Sequence, residues 1–326
     1  MTCPDAFNCL NLETKNGKTY ISSCCIMPTW EVETIDFIND ENFVRIRNQW
    51  NQGNWPAECN ICYKNEKIVN HSRRQASIEW FNNNKLPDEQ YTDVKLLKID
   101  YYCGNTCNLR CAICGPYDSI AWQKELGIPK EKRKIKKNSL TVNTNNVQWI
   151  HFNGGEPLLI NQHWKLLKSI EQKNQVVLNY NTNATVLPKQ ELVDLWSQFK
   201  LVILDFSIDD IGQRFEYQRF PANWNTVVNN LFWLKENMPV NVMFEVNTAL
   251  GILNYYNYPN LVNWFEENFS TNRVTDPVKL KTQETIGILS YRNQDKKQIV
   301  EYLNILDQRR NTSWKEIFPE LVEKLF

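Results

Sequence analysis

Lys95-Leu-Leu-Lys-Ile-Asp-Tyr-Tyr102 runs directly into Cys103-Gly-Asn-Thr-Cys107-Asn-Leu-Arg-Cys111-Ala-Ile-Cys114. The first eight residues, rich in Leu, Ile and Tyr, read as a strand. The cysteines follow it at once, on the loop at its C-terminal end. In a parallel barrel that is the end where chemistry sits. Cys107, Cys111 and Cys114 have the spacing C-x3-C-x2-C. Three thiolates on one short loop can hold three corners of a cubic [4Fe–4S] cluster and leave the fourth iron open. An open metal position is what separates catalytic from structural sites. Spacing alone leaves alternatives: Cys103-x3-Cys107 repeats the three-residue gap, so a four-cysteine cluster that includes Cys103, or a structural zinc, uses the same residues.

Outward from this loop the pattern alternates. Strands are expected at 147–152, 176–180, 201–208 and 240–247, with a sixth within 278–289. Amphipathic stretches at 119–126, 162–171, 189–199, 224–237 and 258–269 lie between them, and Pro188 stands where helices often start. Strand and helix in this rhythm predict βα units on a parallel sheet. The fold class expected is therefore α/β: five or six units over residues 91–292 fit a partial or complete TIM-like barrel, and the family resemblance given below implies the partial (β/α)6 form. A small N-terminal cysteine-rich metal-binding domain precedes it over 1–90, with turns such as Asn16-Gly17. A C-terminal helical extension, 293–326, has no assigned packing partner.

Composition sets bounds on what this chain does. The 326 residues include 42% hydrophobic and 23% charged residues, enough for a core and too few charges for disorder. Lys+Arg and Asp+Glu are 37 each, so no general basic field attracts nucleic acid. No apolar run approaches the ~18–20 residues that span a bilayer, and Met1–Leu10 lacks the basic-then-apolar pattern of a signal peptide. All ten cysteines fall at Cys3, Cys9, Cys24, Cys25, Cys59, Cys62, Cys103, Cys107, Cys111 and Cys114. Tight local clusters without an export signal point to metal in a reducing cytoplasm rather than to disulfides.

Further candidates lie at the ends of the other strands. His151-Phe-Asn-Gly154-Gly155-Glu156-Pro157 closes the second: two glycines permit close backbone approach to a ligand, Glu156 can accept from an ammonium group, and Pro157 ends the strand. Asn181-Thr-Asn183 follows the third, as a ligand contact or a capped turn. Alternation sends Ser207 and Asp209 of the fourth to one face. Arg219 could pair with a carboxylate or lie on the surface, and Asn247 ends the fifth. In the N-terminal region, Cys59-x2-Cys62 is a metal-ligand knuckle downstream of Cys3 and the Cys24-Cys25 pair. Zinc and a four-thiolate cluster use the same ligands there.

Cys107-Asn-Leu-Arg-Cys111-Ala-Ile-Cys114-Gly-Pro together with Gly154-Gly-Glu-Pro157 resembles the radical SAM enzymes, and within them the group that carries a twitch-type auxiliary iron–sulfur domain. The resemblance spans roughly residues 1–290. It implies a [4Fe–4S] cluster with an open iron site on Cys107, Cys111 and Cys114, Cys103 being no ligand. Ile113 stands where such enzymes often have an aromatic residue and would shield one cluster edge. The methionine amine and carboxylate of S-adenosylmethionine would chelate the open iron, and an electron from the reduced cluster would break the C5′–S bond. The 5′-deoxyadenosyl radical would then take hydrogen from substrate. By the same resemblance, Gly154, Gly155, Glu156 and Pro157 hold the cofactor amino group and Ser207 and Asp209 line the ribose and methionine site. Asn183, Arg219 and Asn247 are further cofactor contacts. The Cys-Pro start, Gly17, the Cys-Cys pair and the Cys-x2-Cys within Gly53-Asn-Trp55-Pro56-Ala-Glu-Cys59 resemble twitch domains. They imply a second [4Fe–4S] cluster on Cys3, one or both of Cys24 and Cys25, Cys59 and Cys62, with Cys9 left over.

The expected partners are an electron donor such as a flavodoxin or ferredoxin and a substrate that is a peptide or protein side chain, with a small molecule or nucleotide as the alternative. Neither membrane nor nucleic acid is expected. The competing class is a non-catalytic iron–sulfur or zinc binding module. Ser72-Arg73-Arg74 and Lys130–Lys137 are expected on solvated faces. His71, His151 and His163 lack metal spacing, and Trp122 and Trp149 are near enough to the motifs to line a cavity.

Overall fold

Apolar side chains at every second strand position build the sheet. Ile99 and Tyr101, Ile150 and Phe152, Leu178 and Tyr180, Leu204 and Phe206, and Phe244 and Val246 all lie in one buried core, against Leu166, Trp196, Leu231 and Leu261 from the covering helices. The computed structural model describes residues 2–15, 18–68, 71–84, 93–133, 142–269, 279–284 and 288–326. Among these, the strands are β1 (Cys9–Lys15), β2 (Lys18–Ser22), β3 (Trp30–Val32), β4 (Lys98–Tyr102), β5 (Trp149–Asn153), β6 (Val177–Thr182), β7 (Leu201–Ser207), β8 (Val242–Leu250) and β9 (Lys279–Glu284). They form a single sheet in the order β3-β2-β1-β4-β5-β6-β7-β8-β9.

The six strands β4 to β9 are all parallel and follow one another in sequence order. Helices Ile120–Glu125, Trp164–Ser169, Gln190–Trp196, Trp224–Asn237 and Tyr258–Asn268 fall where the amphipathic stretches are. This is the α/β fold read from the sequence. Within the sixth expected strand, residues 278 and 285–287 lie outside the described residues, as do Asn16-Gly17 and residues 134–137 of the basic stretch.

The first 90 residues join the same sheet. β1 runs parallel to β4, with Cys9 opposite Lys98 and Leu12 opposite Tyr101, and antiparallel β2 and β3 extend it. An edge strand of a parallel sheet leaves a row of unpaired backbone groups, and β1 supplies their partners. Ser72-Arg73-Arg74 is not on a solvated face. Ser72 caps the helix Arg73–Asn83, accepting from the Gln75 amide at 3.2 Å. Arg74 is buried against Glu66 at 2.7 Å, and Arg73 stands between Asp5 (3.6 Å) and Asp100 (3.9 Å). A buried guanidinium is retained only with such partners.

The C-terminal helices Lys296–Arg310, Trp314–Ile317 and Pro319–Leu325 form a second apolar cluster. Leu303, Leu306, Trp314, Phe318 and Leu321 pack there with Trp122, Tyr217 and Ala112 of the cysteine loop. Asn311, at φ 52°, ends the long helix in the left-handed conformation, and the Asp307 carboxylate accepts from the Trp314 amide at 2.9 Å. Among the described residues no helix is long and apolar enough to cross a membrane.

Candidate active site

The loop after β4 carries Cys107, Cys111 and Cys114 to the C-terminal end of the sheet, where all three thiols line one cavity of about 260 Å³. Cys103 does not line it. That residue is fully buried in the apolar core, its Sγ 3.9 Å from the Tyr101 carbonyl. The loop is fixed by its backbone. The Arg110 amide donates to the Phe220 carbonyl at 2.8 Å and the Ala112 amide to that of Gln218 at 2.7 Å. Side chains hold the remaining carbonyls: Ser119 Oγ donates to Leu109 at 2.5 Å, Trp122 Nε1 to Cys111 at 2.9 Å, Tyr302 OH to Ala112 at 2.6 Å and Arg310 Nη2 to Arg110 at 2.6 Å. Trp122 thus braces the loop and does not line the cavity. Trp149 lies at the opposite end of the sheet, packed edge-on against Trp80 at 4.9 Å, because it begins β5 while the cavity stands where β5 ends.

Gly154 and Gly155 do line the cavity, but the closest demand on them comes from the chain itself. A Cβ on Gly154, whose φ is +122°, would stand 2.5 Å from the Gly104 carbonyl oxygen, and one on Gly155 would stand 2.4 Å from that of Thr106. The Gly155 amide donates to Gly104 at 2.7 Å and the Glu156 amide to Thr106 at 2.8 Å. The glycine turn is therefore stacked on the stem of the cysteine loop, and both glycines are needed for that contact.

Glu156 is fully buried. Its carboxylate accepts from the Leu158 amide (3.0 Å), Thr182 Oγ1 (2.9 Å) and the Asn183 amide (2.8 Å). These three donors tie the turn to the end of β6, so the side chain is a strut behind the cavity rather than part of its lining. Burial pushes its carboxyl up to about 7, against the opposing pull of the donors. The unfolded chain then releases this proton near 4.5 while the folded chain keeps it to about 7. Stability is accordingly greatest below pH ~4.5 with respect to this group and falls through that window, by about 3 kcal/mol in all. Chemical denaturation between pH 5 and 8 checks this: Glu156→Gln, which cannot titrate, should show a flatter profile. Equal slopes for the two proteins would contradict the assignment.

Of the other expected residues, Asn183, Ser207, Arg219 and Asn247 line the cavity, and so does Ile113 beside the thiols. Asp209 stands behind it. One oxygen accepts from Arg219 Nε at 2.8 Å and the other from the Ala249 amide at 2.9 Å. Arg219 is buried beside all three thiols. Its charge opposes the rise that burial imposes on Cys107 and that the Cys111 hydrogen bond and burial impose on Cys114, and it adds to the lowering of Cys111 that begins with the hydrogen bond from Cys114. Burial and the neighbouring Cys111 push Cys107 up to about 12, so as a free thiol it keeps its proton at neutral pH. A metal that binds the thiolate removes it. The three-thiol donor set, the adjacent cation and the cavity suit a cluster held by three cysteines. Sequence reasoning missed Asp118, Ser119 and Asn153 in the lining. Asn153 could have been found, since it directly precedes Gly154 on the last position of β5.

A second set of thiols gathers in the N-terminal region. Cys3, Cys24, Cys59 and Cys62 surround one void of about 20 Å³, together with Trp50, Arg73 and Arg74. Cys25 is exposed and is not part of that lining. The Cys24 carbonyl accepts from Ser22 Oγ at 2.9 Å and from the Met27 amide at 3.3 Å, and that turn aims the two adjacent side chains apart. Cys9 is buried on β1, 4.0 Å from Asp100. All ten cysteines are free thiols. Four thiols are the full donor set of a structural zinc or of a [4Fe–4S] cube. The void between them is of single-water size.

The model of the radical SAM superfamily matches residues 101–255. No curated protein matches the sequence. Among solved structures, anSMEcpe with bound AdoMet is 14% identical over 65% of this chain and 57% of its own, with a TM-score of 0.41. Streptococcus suis SuiB bound to precursor peptide SuiA is 14% identical over 85% of this chain and 64% of its own, TM-score 0.40. SuiB bound to S-adenosylmethionine is 13% identical over 93% and 71%, TM-score 0.40. The chain thus spans less than two thirds of anSMEcpe and of peptide-bound SuiB. Similarity at this level assigns neither substrate nor partner to it.

Proposed function

We propose, from the match of the radical SAM superfamily model to residues 101–255, that this chain cleaves S-adenosylmethionine reductively and abstracts hydrogen from a substrate. The observation that carries the proposal is the meeting of Cys107, Cys111 and Cys114 on one cavity with the glycine turn, Asn183, Ser207 and Arg219, while Cys103 faces the core. When bound, a [4Fe–4S] cluster with one open iron supplies the electron that yields the 5′-deoxyadenosyl radical.

The chain's own part is to hold and orient. Cys107, Cys111 and Cys114 would bind the cluster on a loop whose carbonyls are fixed by Ser119, Trp122, Tyr302 and Arg310. Gly154 and Gly155 would present backbone to the cofactor's methionine end. Arg219, held by Asp209, would face its carboxylate, and Ser207 and Asn247 its ribose. Leu109, Ile113 and Ala249 supply the apolar part of the lining and would exclude water from a reactive radical.

The proposal includes a second [4Fe–4S] cluster on Cys3, Cys24, Cys59 and Cys62, a flavodoxin- or ferredoxin-type electron donor, a reducing cytoplasmic location and a peptide or protein side chain as substrate. Anaerobic reconstitution followed by dithionite and S-adenosylmethionine tests the reaction: 5′-deoxyadenosine should form, and its absence rejects the reading. Iron counting tests the second centre, with about eight irons per chain for two cubes and about four for one. Cys24→Ser should lower the count towards four, whereas Cys25→Ser should leave it at the wild-type value.

A further inference from the structure

The C-terminal helices reach the cysteine loop from outside the cavity. Three consecutive carbonyls of the loop, those of Arg110, Cys111 and Ala112, accept from Arg310 Nη2 (2.6 Å), Trp122 Nε1 (2.9 Å) and Tyr302 OH (2.6 Å). Tyr302 and Arg310 stand just over two turns apart on the helix Lys296–Arg310. Neither lines the cavity, whereas Leu109, Cys111 and Ile113 do.

The two braces differ in charge. Tyr302 brings a neutral hydroxyl. Arg310 brings a guanidinium, 5.0 Å from the Trp122 ring centre and 5.1 Å from that of Phe220, on a side chain that is 0% exposed. Its counter-ion is Glu125, with Oε1 3.5 Å from Arg310 Nε, and the same carboxylate contacts Arg110. The Arg110 side chain is 30% exposed, so water screens its charge, whereas that of Arg310 is kept dry. Arg219 and Asp209 also bear on Cys111, but they are paired with each other at 2.8 Å. Burial weakens the hold of Arg310 on its proton and Glu125 sustains it. Cys111 and Arg310 each shift the other in the sense of attraction.

A dry cation beside one ligand favours whichever state of a metal centre carries more negative charge. Reduction adds an electron, so such a cation raises the reduction potential. We propose that Arg310 is a positioning residue for the reduction step: it fixes the loop through the Arg110 carbonyl and places a buried positive charge behind Cys111 that eases entry of the electron. The proposal deepens the radical SAM reading and rests on it. Glu125 tempers the charge, and Tyr302 shares the bracing without it. That division lets substitution separate the two parts of the role.

The test uses the reconstituted full chain, poised at the midpoint potential of the wild type. Electron paramagnetic resonance reads the reduced fraction, following the signal that the Cys107→Ala/Cys111→Ala/Cys114→Ala protein lacks. Arg310→Met should lower the reduced-to-oxidised ratio at least about 10-fold, which is about 59 mV for one electron. Arg310→Lys, which keeps the charge, and Tyr302→Phe, which loses only the hydroxyl, should each stay within about 3-fold of the wild type. Glu125→Gln should raise the ratio at least about 3-fold. Opposite signs for Arg310→Met and Glu125→Gln separate charge from loss of structure, and if Arg310→Met holds no cluster the sign of Glu125→Gln decides alone. The proposal is overturned by an unchanged ratio in Arg310→Met, by a shift as large in Arg310→Lys or Tyr302→Phe, or by a ratio that fails to rise in Glu125→Gln. The reading needs no S-adenosylmethionine. A wild type that shows the signal but forms no 5′-deoxyadenosine therefore rejects the catalytic reading alone, and normal product with unshifted ratios rejects this inference alone.

Discussion

Replacing Cys107, Cys111 and Cys114 together with alanine is expected to reduce 5′-deoxyadenosine formation to the background of dithionite and cofactor alone, a loss of at least about 10³-fold. The expectation follows from the donor set, because the remaining lining has no other thiol to take over the cluster. The informative control is Cys103→Ala. Its side chain is fully buried beside the Tyr101 carbonyl and away from the cavity, so that variant should keep its iron and its product. The measurement is product by chromatography beside iron per chain. If Cys103→Ala lost both while Cys114→Ala kept them, the cluster would lie one register earlier on the loop and the geometry argued above would be wrong.

Gly155→Ala should also be damaging, without removing any ligand. Its new methyl would stand 2.4 Å from the Thr106 carbonyl oxygen, 2.7 Å from the Thr106 carbonyl carbon and 2.9 Å from that of Asn105. These are backbone atoms, so no side chain can turn away; the turn or the stem of the cysteine loop must move. A cost of roughly 2–4 kcal/mol in stability and at least a 10-fold loss of cofactor affinity are expected. Gly154→Ala adds the penalty of a φ of +122°. Gly115→Ala, with nothing within 4 Å of its added methyl, should cost less than about 0.5 kcal/mol. Thermal unfolding and equilibrium cofactor binding on the three variants check the order. A Gly155→Ala protein that melts and binds as the wild type would refute the stacking of the two loops.

Much of this was legible because it is local. Apolar and aromatic residues along Lys98–Tyr102 and Leu201–Ser207 encode strands, and the cysteine spacing encodes a loop with three donors. What stayed illegible depends on contacts between distant parts of the chain. Tyr302 and Arg310 brace the cysteine loop from 190 and 200 residues away, and nothing in their own neighbourhoods marks them. Glu156 reads as a ligand-binding carboxylate until the Thr182 and Asn183 donors are seen to consume it. The glycine pair signals conformational freedom in the sequence and reads there as room for a ligand, whereas its tightest neighbour is protein backbone. Cys24 and Cys25 are equivalent in sequence, and only the turn through Met27 distinguishes them. Arg73 and Arg74 look like surface charge because a sequence does not display Asp5, Asp100 and Glu66 as their partners.

The brace from the long C-terminal helix also sets an order of events in the life of the molecule. Tyr302 is synthesised 190 residues after the carbonyl it holds, an interval of about 10–40 s at ribosomal speed. Throughout that interval the nascent chain displays its three sulfurs on a loop whose outer support does not yet exist. Iron delivered before that helix has docked would meet an unsupported ligand set, so loading of the proposed cluster is expected to follow the docking of Lys296–Arg310 onto the loop.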